Sequence, residues 1–141
     1  MYQVMLFLHI IGALALGFYL FLPLVLGKVD KLSLAGREGT ISAVNSLNKY
    51  AQIGLIIQLL TGGYLIGQGD YSVPWMIVIT LLYLAIGAFS GIMGKPLRLA
   101  LEGIRQNKAT TAEVGKLRTL SALLSVTVLL ISFFMVFSTI I

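Results

Sequence analysis

The chain has 141 residues, of which 58% are hydrophobic and 11% charged, with ten Lys and Arg residues against five Asp and Glu. This composition is too apolar for a soluble domain, and the length excludes a large catalytic domain outside the membrane. The absence of cysteine excludes disulfides, thiolate metal sites, iron-sulfur clusters and c-type haem attachment within the chain.

Four apolar stretches predict four membrane-spanning helices, because each is long enough, or nearly so, to cross about 30 Å of hydrocarbon. The spans are expected at about residues 5–26, 44–67, 73–94 and 118–141, within a single domain that covers residues 1–141. The expected fold is therefore an all-α, integral membrane four-helix bundle.

The basic residues predict the direction of the helices. All ten lie either between the apolar runs 5–26 and 50–66 or between the runs 73–93 and 120–141, whereas the turn "GQGDYSVPW" carries one acidic residue and no basic one. By the positive-inside rule, loops 27–43 and 95–117 are cytoplasmic and both termini face outward. Tyr71 and Trp75 at the outer turn are expected in an interfacial aromatic belt.

The third connection, "KPLRLALEGIRQNK", has an amphipathic helical pattern with Pro96 at a tolerated first-turn position. This pattern predicts a short interfacial helix whose basic face lies on anionic lipid headgroups, or recruits an acidic partner. Thr110 and Glu113 predict a capping box that opens the fourth helix. The apolar face of the interfacial helix is expected to consist of Leu97, Ala100, Leu101 and Ile104.

Each predicted span carries one stripe of polar or small residues, which should face other helices because lipid satisfies no hydrogen bond. His9, the single histidine, lies roughly 10 Å outward of its helix midpoint, and Thr61, Thr80 and Met135 lie roughly 4 to 8 Å outward of theirs. Such stripes are also typical of packing seams without a function. The candidate site residues are His9, Gln58, Thr61, Thr80, Tyr83 and Met135.

An ionisable residue inside a membrane is a functional hypothesis by default. His9 can act as an axial ligand of haem b, with Met135 or the His9 of a second copy as the other ligand. A proton relay lacks partners, because no Asp or Glu lies in any span, and one histidine with a few methionines falls short of a closed zinc or copper site. The alternative is a neutral His9, bonded to Thr61, Thr80 or a backbone carbonyl, that contributes only to helix packing.

The stretch "LHIIGALALGFYLFLPLVLGK" resembles the first helix of a group of small bacterial integral membrane proteins, and "GLIIQLLTGGYLI" is similar to the second helix of its uncharacterised members. The group includes the membrane domain of copper-resistance D proteins and the four-helix oxygen-independent protoporphyrinogen oxidase. The resemblance implies a membrane bundle in the bacterial cytoplasmic membrane, with haem or porphyrin handling in some relatives. The Trp, Arg and second His that follow the first histidine in the oxidase-type proteins are missing here. The resemblance therefore assigns a role, contact with haem or porphyrin, to His9 alone.

The sequence therefore favours a small haem- or porphyrin-binding or redox-accessory membrane protein. One alternative is an oligomeric transporter or channel subunit whose serine-rich fourth helices surround a pore. Another is a non-catalytic partner subunit that associates through the seams of Ala13, Gly17 and Gly87. Enzymatic turnover is not expected, because no nucleophile, base and orienting group can be assembled. The expected partners are anionic lipid and a second copy or another membrane protein, and no nucleic acid is expected.

Overall fold

A computed structural model describes residues 1–108 and 110–139. Within these residues the chain is helical and contains no strand. Four helical segments are long and apolar enough to cross a membrane, and the first of them consists of α1 and α2 together. The helices are α1 (Tyr2–Leu16), α2 (Phe18–Lys28), α3 (Leu34–Gly67), α4 (Val73–Arg105) and α5 (Thr111–Val136).

The first segment is a nearly continuous helix that is interrupted at Gly17. The Gly17 backbone keeps right-handed helical angles, with φ −59° and ψ −23°, and its N–H donates to the carbonyls of Ala13 and Leu14. Pro23 lies inside α2 and has no N–H to donate to the Tyr19 carbonyl. Pro23 therefore leaves one gap in the hydrogen-bond ladder of this segment, whereas at Gly17 one N–H is shared between two carbonyls.

Helix α3 begins earlier than expected, at Leu34 rather than near residue 44. Its N-terminus is capped by Ser33, whose hydroxyl accepts a hydrogen bond from the Gly36 N–H at 3.1 Å. Helices α3 and α4 are each about 50 Å long at 1.5 Å per residue, about 20 Å more than the hydrocarbon thickness. Most of the expected loop 27–43 is therefore helix.

The expected separate interfacial helix in the third connection is wrong. Helix α4 runs without a break from Val73 to Arg105, with Pro96 in its interior. The expected apolar face, Leu97, Ala100, Leu101 and Ile104, is buried in the protein core together with Val114 and Leu117 of α5. Burial against α5 stabilises this segment as a continuation of α4.

Helix α4 ends in a Schellman motif. Asn107 adopts a positive φ of 56°, the Asn107 N–H donates to Ile104 O, and the Lys108 N–H donates to Gly103 O. This motif lets the chain reverse direction within a short connection.

The expected capping box at the start of the fourth helix is not formed. Thr110 occupies the N-cap position of α5, but its side chain makes no capping hydrogen bond. A Cβ added at Gly103 would lie 2.7 Å from the Thr110 methyl carbon, so the methyl group packs closely on the end of α4. Helix α5 ends at Val136, and residues 140–141 of the expected span lie outside the described residues.

The first helical segment changes its main neighbour at Gly17: α1 packs against α3, whereas α2 packs against α5. Helix α4 lies between α3 and α5 and contacts both. We call the end with connections 29–33 and 106–110 the basic end, and the end with connection 68–72 the Tyr71 end. Much of the core lies toward the basic end, where Leu26, Ile41, Leu97 and Leu117 are fully buried.

Trp75 is packed inside the bundle at the Tyr71 end. It is only 2% exposed, its ring stacks on Tyr71 at a centroid distance of 4.5 Å, and its indole N–H donates to Phe134 O at 2.7 Å. The indole therefore joins the start of α4 to the last turn of α5, where helical carbonyls lack partners of their own.

Candidate functional site

His9 lies on α1 and turns its half-buried ring toward α3. Its Nδ1 is 2.9 Å from the Thr61 hydroxyl oxygen. The Thr61 hydroxyl donates to the Ile57 carbonyl of its own helix at 2.7 Å, which leaves the oxygen lone pairs free to accept. Thr61 itself is buried, so the imidazole is joined to a fixed group on the neighbouring helix.

Gln58 holds the same part of α1. With its N–H groups toward His9, the Gln58 amide donates to His9 Nδ1 at 2.7 Å and to the His9 carbonyl at 2.9 Å, and its oxygen accepts from the Ala13 N–H at 3.0 Å. The reverse orientation would set oxygen against two acceptors and nitrogen against a donor. One amide therefore fixes both the ring and the backbone of α1.

Glycines bring α1 and α3 close enough for these contacts. A Cβ at Gly12 would lie 3.1 Å from the Gln58 side chain, and a Cβ at Gly54 would lie 3.1 Å from the Ala15 Cβ. Gly62 lies beneath the ring, where a Cβ would be 3.4 Å from His9 Cε1. The helices meet through small residues, as is common in membrane bundles.

The second ring nitrogen of His9, Nε2, has no partner in the part of the chain that the structure describes. Among the described residues, Nε2 makes no hydrogen bond, and no buried side-chain polar atom is without a partner. Nε2 must therefore reach the surface of the bundle. The site thus offers one imidazole nitrogen whose ring is held in place through the other.

The structure brings together three of the six expected site residues, namely His9, Gln58 and Thr61. Thr80 is exposed on α4 and donates to its own helix at Met76 O. Met135 lies on α5, is 38% exposed and makes no hydrogen bond to His9 in the described part of the chain. Neither residue therefore takes part in the contacts between His9 and α3.

Tyr83 reaches α3 at a different level. Its hydroxyl donates to Leu55 O at 2.6 Å, about one turn from Gln58 along α3. It therefore joins α4 to α3 beside the site without contacting His9.

A second polar cluster, not predicted from the sequence, lies nearer the basic end. The buried Tyr19 hydroxyl donates to Asn48 Oδ1 at 2.6 Å, and the Asn48 amide donates to Ser90 O at 3.1 Å. Gln52, one turn along α3, donates to the same carbonyl at 3.3 Å. The sequence feature that could have indicated this cluster is the pair of amides Asn48 and Gln52, four residues apart in an apolar helix, with Tyr19 on the preceding helix.

The serines of α5 are used largely inside the chain. Ser121 is fully buried and donates to Arg118 O, and Ser125 donates to Leu20 O of α2 at 3.3 Å. Ser132 instead lines a shallow apolar groove of about 630 Å³ with Phe133 and Phe137. The three serines of α5 therefore lie in different surroundings, two of them bonded within the chain and one on the groove.

The described residues contain no group of three or more His, Cys, Asp or Glu side chains that could hold a metal ion. The chemistry available at His9 is that of a single nitrogen ligand or hydrogen-bonding group. No family model, curated protein or solved structure matches the chain.

Proposed function

We propose that this chain is a multi-pass protein of the bacterial cytoplasmic membrane, with both termini outside and the basic end in the cytoplasm. The support is the four long apolar helices and the distribution of all ten Lys and Arg residues toward one end of the bundle. Exposed lysines near that end, including Lys28, Lys95 and Lys116, are suited to anionic headgroups.

We further propose that the protein binds a haem- or porphyrin-type cofactor in the outer half of the membrane, through His9 Nε2. The observation that carries this proposal is the position of the ring: Nδ1 lies 2.9 Å from the Thr61 hydroxyl oxygen, which can accept its proton, and Nε2 has no partner among the described residues. An imidazole iron ligand typically has its other nitrogen held by a hydrogen bond.

Among the described residues, His9 would supply one bond to the iron of such a group, and no cluster forms a closed metal site. His9 would hold the iron, while Thr61 and Gln58 would set the orientation of the ring. Met135 is not assigned as a second ligand, because His9 turns toward α3 whereas Met135 is exposed on α5. A bound haem supplies one-electron redox chemistry, which suits a redox-accessory role.

The test is the ultraviolet-visible spectrum of detergent-purified protein, as isolated, after hemin addition and after dithionite reduction. We expect a stoichiometric Soret band that shifts on reduction and is lost in His9→Ala. Ile10→Ala is the matched control, because Ile10 is the exposed neighbour of His9 on α1 and should keep the band. A His9→Ala protein with the wild-type Soret intensity would rule out the axial ligand.

The second candidate is a partner subunit without chemistry. It is favoured by the hydrogen bonds of His9, since contacts to Thr61 and Gln58 are sufficient for a structural role in helix packing. A flat spectrum before and after hemin addition would favour this function, and co-purification from native membranes would then identify the partner.

A further inference from the structure

Gln58 and Thr61 make opposite demands on the same nitrogen of His9. The Gln58 amide group presents an N–H to Nδ1 at 2.7 Å, which requires an unprotonated Nδ1. The Thr61 hydroxyl oxygen lies 2.9 Å from Nδ1. As long as the hydroxyl proton is kept on Ile57 O, this oxygen can only accept a hydrogen bond, which requires a protonated Nδ1. The two residues therefore favour different tautomers of the ring.

Gln58 favours the tautomer with the proton on Nε2. In that state the Gln58 amide makes three hydrogen bonds with α1. Its nitrogen donates to His9 Nδ1 and to the His9 carbonyl, and its oxygen accepts from the Ala13 N–H. Moving the proton to Nδ1 would force the amide to turn and place its oxygen against the His9 carbonyl. Without a ligand, the three bonds should hold Nδ1 unprotonated.

Thr61 favours the tautomer with the proton on Nδ1. The ring N–H would then donate to Thr61, and Thr61 would donate to Ile57 O, in a continuous chain of hydrogen bonds. This is the state in which Nε2 presents a lone pair to a ligand.

We infer that Gln58 and Thr61 are positioning residues that set the tautomer of His9 in opposite directions, with Thr61 promoting and Gln58 opposing ligand binding at Nε2. The ligand part of this inference rests on the proposed function, whereas the tautomer part does not depend on any ligand.

The first test is ¹⁵N NMR of histidine-labelled protein without hemin, which reports on one residue because His9 is the single histidine. We expect the proton on Nε2 in wild type and in Thr61→Val, and a shift of the proton to Nδ1 in Gln58→Met, where Thr61 is the remaining partner. Gln52→Met is the control, because it removes an amide from the same helix that donates instead to Ser90 O. The same tautomer in wild type and Gln58→Met would overturn the inference.

The second test is hemin titration of the same variants. We expect Thr61→Val to weaken binding about tenfold or more, and Gln58→Met to tighten it by a few-fold to about tenfold. Thr80→Val is the control for Thr61→Val, because Thr80 makes the same bond to its own helix without touching His9. Equal weakening by Thr61→Val and Gln58→Met would overturn the opposing roles. Failure of wild type to bind hemin would overturn the proposed function, and the NMR result would then decide the tautomer roles alone.

Discussion

At the scale of single residues, two tyrosine hydroxyls cross the bundle with different consequences for their partners. Tyr19 donates to the side-chain oxygen of Asn48. Asn48 is 2% exposed, and its side-chain oxygen takes no part in the backbone hydrogen bonds of the helix. Tyr83 donates to the Leu55 carbonyl, which lies inside α3 and is also an acceptor in the helical ladder. The two hydroxyls therefore contribute unequally to stability.

Removal of the hydroxyl from Tyr19 should destabilise the protein more than its removal from Tyr83. We expect Tyr19→Phe to lower the free energy of unfolding by about 1–3 kcal/mol, since a buried acceptor loses its donor. We expect Tyr83→Phe to cost about 0.6 kcal/mol, as is typical of hydrogen bonds between membrane helices. Unfolding by SDS in mixed micelles, followed by circular dichroism, measures both. Equal losses would show that Asn48 finds another partner.

At the scale of helices, the seam between α1 and α3 depends on close approach at Gly54. A Cβ there would lie 3.1 Å from the Ala15 Cβ and 3.4 Å from the Gly12 carbonyl oxygen. Gly63, on the same helix, has nothing within 4 Å of an added Cβ. The two glycines thus provide a matched pair for one substitution.

Leucine at these two positions should have opposite effects. Gly54→Leu must push α1 away from α3, and we expect a loss of about 1–3 kcal/mol in unfolding free energy. Gly63→Leu points into open space and replaces a poor helix former, so stability should be unchanged or higher by up to about 1 kcal/mol. The same micellar unfolding measurement applies. A Gly54→Leu protein as stable as wild type would mean that the helices meet elsewhere.

At the scale of the whole molecule, the charged segments at the basic end belong largely to the long helices α3 and α4 rather than to loops. Arg105 pairs with Glu38 at 3.1 Å, which joins the end of α4 to the start of α3. Both side chains are about half exposed, so this ion pair contributes little to stability. Beneath this surface, Val29, Ile41, Ile104 and Val114 are buried. The basic end is therefore a packed helical extension with charged side chains on its outside.

The proposed topology predicts opposite accessibility for two exposed glutamines. The chain has no cysteine, so Gln68→Cys and Gln106→Cys each introduce a single thiol, one at each end of the bundle. In intact cells, a membrane-impermeant maleimide should label Gln68→Cys and should label Gln106→Cys only after permeabilisation. The reverse pattern would invert the topology, and labelling of both thiols in intact cells would contradict the four spans.

The number and character of the long helices followed from the sequence alone, because the length of an apolar run and the helical period are local properties. The pairing of Gln58 with Thr61 on one stripe of α3 followed for the same reason, since residues three apart share a helix face. His9 was recognisable as the single histidine of the chain, placed within the first apolar run.

The tertiary structure alone decided which stripes meet. His9 contacts α3 because glycines at positions 12, 54 and 62 admit close packing there, whereas Thr80 and Met135 remain exposed. Burial against α5 also extended α4 beyond Pro96, where the sequence pattern equally suited a helix on lipid. Both outcomes depend on contacts between segments far apart in the chain, and neither the hydropathy nor the period of one segment specifies its neighbours.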